Sequence, residues 1–167
     1  DSLTLFADVA RAREAGIFVL VKTSNPGGKM LQDLVVDGQA IYQRVGGHVE
    51  HLAEQTAGES RYGSVGAVVG ATYPEQLAEL RSAMPHTWFL VPGFGAQGGT
   101  AADTAGAFDA NGLGAIINNS RGIIFAHARE PYAQKFGQAK WQQAVEAATR
   151  EMIEQLPEQT PAGKLRG

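Results

Sequence analysis

The chain has 167 residues, 44% of them hydrophobic and 19% charged, with a net charge of −3, a composition that supports one packed domain and excludes disorder. It has no cysteine, which rules out a disulfide framework, a thiolate metal site and a cysteine nucleophile, and fits a reducing, cytoplasmic setting. No apolar stretch approaches the roughly 18 residues of a membrane span, and the 14 basic residues are scattered, so neither a membrane nor a nucleic acid is expected as a partner.

Taken in chain order, Ser2 caps a first helix with Leu3, Phe6, Val9 and Ala10 on its inner face. The chain opens at Asp1 inside this cap, as a piece of a longer protein would. The run from Ile17 to Lys22 reads as a strand. It ends in Thr23-Ser24-Asn25-Pro26-Gly27-Gly28 and leads to a helix with Ile41, Val45, Val49 and Leu52 on one face. A second strand, Val65 to Val69, closes on Gly70-Ala71. There Thr72 and Glu75 match a capping box, Pro74 takes the first turn, and Leu77, Leu80 and Met84 face inward. The third strand, Trp88 to Val91, runs into Pro92-Gly93-Phe94-Gly95-Ala96-Gln97-Gly98-Gly99, and its helix, Thr100 to Phe108, is short and weak. The fourth, Leu113 to Asn118, ends in Asn119-Ser120-Arg121-Gly122. The strongest helical stripe comes last: Trp141, Val145, Ala148, Met152 and Leu156. Residues 157–167 are polar and expected to fray.

Short apolar strands alternating with helices imply parallel βα units whose strands are buried on both faces. Four units suit a small doubly wound sheet or half of an eight-stranded barrel. In both, ligands sit where strands end and helices begin. The two turns best suited to an anion are the last two, where many barrels hold a phosphate. The spacing therefore points to the second half of a (β/α)8 TIM barrel.

Gly93-Phe94-Gly95-Ala96-Gln97-Gly98 is a G-x-G-x-x-G after a strand, the pattern of a dinucleotide site. Such a site needs an acidic residue at the end of the next strand, where this chain has Ile117-Asn118-Asn119. A cradle for the phosphate of a mononucleotide or sugar phosphate fits better than a dinucleotide site or a turn without a ligand. Glycine N–H groups can approach oxygens closely, and Gln97 can donate from its amide. Arg121 adds a planar, fixed positive charge, and Ser120 and Gly122 leave room for backbone donors. Thr23-Ser24-Asn25-Pro26 offers hydroxyls and an amide to a planar polar ring, or else forms a turn bonded to its own backbone. Lys22 is a strand-end charge or an ammonium facing the site, with no carboxylate near it in sequence. His48 and His51 stand three apart on a helix but have no third ligand, so no metal is expected; His86 falls in a turn between helix and strand, and His127 follows the turn of the fourth strand. No G-x-S-x-G elbow and no H-E-x-x-H motif occurs.

Five strings carry a resemblance: Phe18-Val19-Leu20-Val21-Lys22-Thr23-Ser24-Asn25-Pro26-Gly27, Leu31-Gln32-Asp33-Leu34, residues 65–72, residues 90–99 and residues 116–123. In order and spacing, from Asp1 to about Leu156, they resemble the long bacterial subgroup of the orotidine 5′-phosphate decarboxylases. The resemblance implies a (β/α)8 barrel, a homodimer with sites near its interface, and catalysis without cofactor or metal. It implies conversion of orotidine 5′-phosphate to uridine 5′-phosphate and carbon dioxide in de novo pyrimidine synthesis. It also implies that Ser24 contacts the pyrimidine ring and that Gln97 and Arg121 bind the phosphate, with Gly98 and Ser120 beside them. Pro92 would begin the loop that closes over the ligand.

The departure from the family is large. Its catalytic lysine and aspartates lie in a D-x-K-x-x-D motif on an earlier strand. No D-x-K occurs here, and Lys22, Lys29, Lys135, Lys140 and Lys164 stand outside any such pattern. The chain thus resembles strands five to eight with the preceding helix, and the catalytic motif is expected upstream of Asp1. Two rivals remain: a phosphate-binding half-barrel without catalysis, and another phosphoribosyl-handling barrel enzyme such as an isomerase.

Overall fold

The computed structural model describes residues 2–95 and 98–166. Its strands are β1 (Ile17–Lys22), β2 (Val35–Val36), β3 (Gln39–Ala40), β4 (Val65–Val69), β5 (Phe89–Val91) and β6 (Ala115–Ile117). Four of them form one parallel sheet in the order β1-β4-β5-β6, so the strands lie in space in their order along the chain. β2 and β3 make a small antiparallel ribbon between the first two units. The helices are α1 (Ser2–Ala12), α2 (Lys29–Gln32), α3 (Ile41–Glu54), α4 (Pro74–Ala83), α5 (Ser120–Ile124), α6 (Tyr132–Phe136) and α7 (Trp141–Gln159). These are four consecutive βα units, half the complement of a (β/α)8 barrel.

The core lies between the sheet and its helices. Val21, Val65, Ala67, Val69, Phe89 and Val91 meet Val49 and Leu52 of α3 and Leu77, Leu80 and Met84 at α4, as their periodicity predicts. Burial on both faces holds for β4 but not for β1, where Ile17 and Val19 face the helices while Leu20 is 64% exposed. Phe18, Gly66, Trp88 and Ile116 line an open cleft of about 210 Å³ on the uncovered face. Helices cover only one side; the other faces the space that the remaining strands of a closed barrel would fill.

Several local expectations change. α1 buries Ala7 and leaves Phe6 and Val9 exposed, because it packs at the sheet margin against β1 rather than under a second layer. The weak third helix is a 3-10 helix, Ala102–Ala107. Thr72 does not cap α4; its hydroxyl donates to the Ser24 carbonyl at 3.1 Å. α7 buries Ala144, Ala148 and Met152, with Trp141 half exposed, so its inner stripe is rotated from the predicted one. Residues 157–166, expected to fray, carry α7 on to Gln159 and then form a 3-10 helix, Pro161–Arg166. Pro157 lacks the N–H that would bond the Ile153 carbonyl, and Arg166 donates to that carbonyl instead at 2.7 Å. Lys164 also reaches the Ala110 carbonyl at 2.7 Å, fastening the end of the chain to the body.

Candidate functional site

The site begins with a break in the alternation of β1. Leu20 pairs with Val68 and Lys22 pairs with Val69, so Val21 is the extra residue of a bulge. Strict alternation would place Lys22 on the open face with Phe18 and Leu20. The bulge turns it under the helices instead, where it is fully buried. Its Nζ donates to Oδ1 of Asp33, just past α2, and lies 4.7 Å from the ring centre of Tyr73 and 5.2 Å from that of Tyr42. Lys22 is therefore neither a solvated strand-end charge nor an ammonium facing the cleft. Desolvation, then the hydrogen bond to Glu79, push Tyr42 up to about 12, so its hydroxyl remains a donor to that carboxylate.

A second tie sits beside the first. The Thr23 N–H and hydroxyl reach Gln32 Oε1 at 3.1 and 3.3 Å. Beyond these ties Ser24, Asn25 and Pro26 line an open cleft of about 470 Å³ with Thr72 and Tyr73. Hydroxyls, an amide and an aromatic ring suit a planar polar ligand.

A second cleft forms at the ends of β5 and β6. Pro92, Gly93 and Phe94 meet Asn118, Asn119, Ser120 and Arg121 around about 160 Å³. Arg121 is exposed on its rim. Asn119 accepts from the Gly122 N–H at 3.1 Å, and Asn118 donates to the Ser120 hydroxyl at 3.3 Å. Asn118 Oδ1 is buried with no hydrogen-bond partner among the described residues. Gly93, Gly95 and Gly98 adopt φ of +102°, +67° and +95°, which side chains resist. The N–H groups of Gly95, Gly98 and Gly99 bond to the carbonyls of Gly99, Gly95 and Gly93. At those positions the glycines shape the loop; they are not a row of bare donors. Ala96 and Gln97 lie outside the described residues.

The loop after β4 joins the two clefts. On one side a Cβ at Gly70 would fall 2.7 Å from the Ser24 backbone, and Thr72 bonds the Ser24 carbonyl. On the other the Ala71 N–H donates to the Pro92 carbonyl at 2.8 Å. Ser24 and Pro92 follow strands two places apart in the sheet, a separation of roughly 10 Å. One cleft can thus take a ring and the other an anion of a single small molecule.

A model of the orotidine 5′-phosphate decarboxylase / HUMPS family matches residues 1–136. The chain belongs to this family. An orotidine 5′-phosphate decarboxylase of Rhodopirellula baltica is 60% identical over 156 residues, which cover 93% of this chain and 52% of that protein. One from Deinococcus radiodurans is 47% identical over 127 residues, 75% of this chain and 45% of that protein. The solved Leishmania donovani OMP decarboxylase is similar at 35% identity with a TM-score of 0.58, covering 84% of this chain and 50% of that one. The chain spans about half the length of the curated relatives it matches. Similarity to decarboxylase structures and four parallel βα units together make the described fold half of a TIM barrel.

For this decarboxylase-family chain, Ser24 falls in the first cleft and Pro92, Ser120 and Arg121 in the second, while Gly98 lies on the glycine loop. Sequence reasoning missed Gln32, Asp33 and Tyr73, which reach Thr23 and Lys22 only through the folding of the loop. The signal was faint. Gln32 and Asp33 stood in one of the family-like strings, but nothing in their spacing from Lys22 announced a partner.

Proposed function

We propose that this chain is the substrate-gripping half of an orotidine 5′-phosphate decarboxylase, acting in de novo pyrimidine synthesis. The observation that carries this is the loop of residues 70–72, which bonds the Ser24 backbone on one side and Pro92 on the other. Ser24 reads the pyrimidine ring, and Arg121 holds the 5′-phosphate with Ser120, Gly98 and Gln97 beside it. The proline-led loop from Pro92 closes over the ligand.

In the reaction the bond from the ring carbon to the carboxylate breaks and carbon dioxide leaves. The electron pair stays on the ring carbon, and a lysine ammonium supplies the proton that replaces the carboxylate. No cofactor takes up the charge, so it is stabilised by groups placed in advance. Binding the remote phosphate supplies energy that orients the ring and closes loops. The proton donor comes from outside this chain. Lys22 is unsuited to the role, being sealed beneath Tyr73 and paired with Asp33.

The working protein is a cytoplasmic homodimer. No helix among the described residues is long and apolar enough to cross a membrane. Met30, Leu31, Leu34, Val35 and Val36 form an exposed apolar group beside the Ser24 loop, Met30 being 83% exposed. An exposed cluster of that kind suits a second copy near the site.

The test is turnover of orotidine 5′-phosphate by the full polypeptide that carries this chain, with sizing by light scattering. Decarboxylation by a dimer supports the proposal. Ligand binding by a well-purified protein without turnover favours the binding-only half-barrel.

A further inference from the structure

The bulge in β1 places a lysine that no step of the reaction uses. An ion pair with one charge fully buried contributes little to net stability, because desolvating that charge offsets the attraction and apolar residues of similar volume often serve as well; the Lys22 side chain is fully buried and that of Asp33 is 35% exposed. What such a pair does supply is a fixed geometry. Here Lys22 is fully buried at the neck of the loop 23–33, and its carboxylate partner Asp33 stands at the far side of that neck. The Thr23–Gln32 bonds close the neck a second time. The ammonium also underlies the Tyr73 ring, a wall of the Ser24 cleft, with Lys29 Nζ at 4.9 Å from the same ring centre.

We propose that Lys22 and Asp33 are positioning residues that set the Ser24 loop and the Tyr73 wall for recognition of the pyrimidine ring. The inference rests on the assignment of Ser24 to that ring. Lys22 touches no substrate. It acts through Asp33, which holds the end of the loop down, and through Tyr73, which it supports from beneath. Without the pair the loop keeps Ser24 but loses the register that aims it.

The experiment compares affinities of the full polypeptide that carries this chain for uridine, uridine 5′-phosphate and ribose 5-phosphate, with thermal midpoints recorded alongside. Lys22→Met and Asp33→Asn are expected to weaken uridine and uridine 5′-phosphate about tenfold and to leave ribose 5-phosphate within about twofold. The double variant Lys22→Met/Asp33→Leu replaces both charges by apolar groups, so its thermal midpoint should be near that of the parent while ring affinity stays low. If Lys22→Met fails to fold, the double variant and Asp33→Asn decide. A double variant with parental affinity for uridine overturns the proposal, as does equal weakening of all three ligands. Ser24→Ala is the control for the underlying assignment. If it weakens uridine and the Lys22 and Asp33 variants do not, positioning alone is wrong. If none of them does, the ring assignment falls as well.

Discussion

The two ends of the sheet are built on opposite plans. At the end where strands begin, polar groups satisfy one another. Arg81 is buried and donates to the carbonyls of Thr87, Gly114 and Met84, with its guanidinium 4.2 Å from the Phe89 ring centre. Glu50 accepts from the His86 N–H, the His86 ring and the Thr87 hydroxyl. Tyr62 donates to Asp109 at 2.9 Å. At the end where strands stop, Arg121 is exposed and Asn118 Oδ1 is buried without a partner among the described residues. One end is a closed network; at the other, the ties of Lys22 and Thr23 stand beside the open groups at Asn118 and Arg121, as in barrels that keep stability at the bottom and binding at the top.

Substitutions should separate the two ends. Arg81→Met should have the largest effect, removing a charged donor from three buried carbonyls at a cost of about 3 kcal/mol. Urea unfolding should show it, while nucleotide affinity of the folded fraction stays unchanged; lost affinity without lost stability would contradict the division. Arg121→Ala should do the reverse, weakening uridine 5′-phosphate by about 1.5–3 kcal/mol and uridine hardly at all, with no shift in the unfolding midpoint. Calorimetric titration of the two ligands checks this, and equal losses would remove Arg121 from the phosphate.

Gly70→Ala would drive a Cβ to 2.7 Å from the Ser24 backbone. Overpacking of about 1–3 kcal/mol should displace the ring cleft, so uridine and uridine 5′-phosphate should weaken together. Unchanged uridine affinity would show that Ser24 does not need that seat.

The smallest effect concerns pH. Burial opposes the charge of Asp109, but the Leu113 N–H, the Tyr62 hydroxyl, the Asn111 N–H and Arg81 outweigh it and hold its carboxyl below the usual range. A carboxyl depressed on folding stabilises the protein fully above its unfolded value, about 3.9, and loses that contribution as pH falls through the folded value. The stability gap between parent and Asp109→Asn should therefore be present at neutral pH and close in strong acid. A gap that persists unchanged in acid would argue against the depressed value.

Much of the architecture could be read from the sequence because it rests on local patterns. Leu77, Leu80 and Met84 fall on one helical face and are buried there, and the apolar runs mark the four parallel strands. The position of the two clefts was readable for the same reason, since Ser24, Pro92, Ser120 and Arg121 all lie within a few residues of a strand end. What escaped depends on one residue of displacement or on distant partners. A bulge at Val21 reverses the direction of Lys22, and no periodicity announces it. Pro157 reads as a helix end, yet α7 runs on to Gln159 and Arg166 takes the Ile153 carbonyl that Pro157 cannot. Thr72 and Glu75 match a capping box, but the Ser24 carbonyl takes the Thr72 hydroxyl.

The agreement between chain order and strand order bears on how the molecule is made. Each strand of the large sheet pairs with the one that precedes it in that sheet, β4 on β1, β5 on β4 and β6 on β5. A chain emerging from the ribosome N-terminus first therefore presents every new strand to an edge already in place. Each of these pairings joins a strand only to one that precedes it in the chain. This order permits the sheet to be laid down unit by unit, its advancing edge being the strand synthesised last.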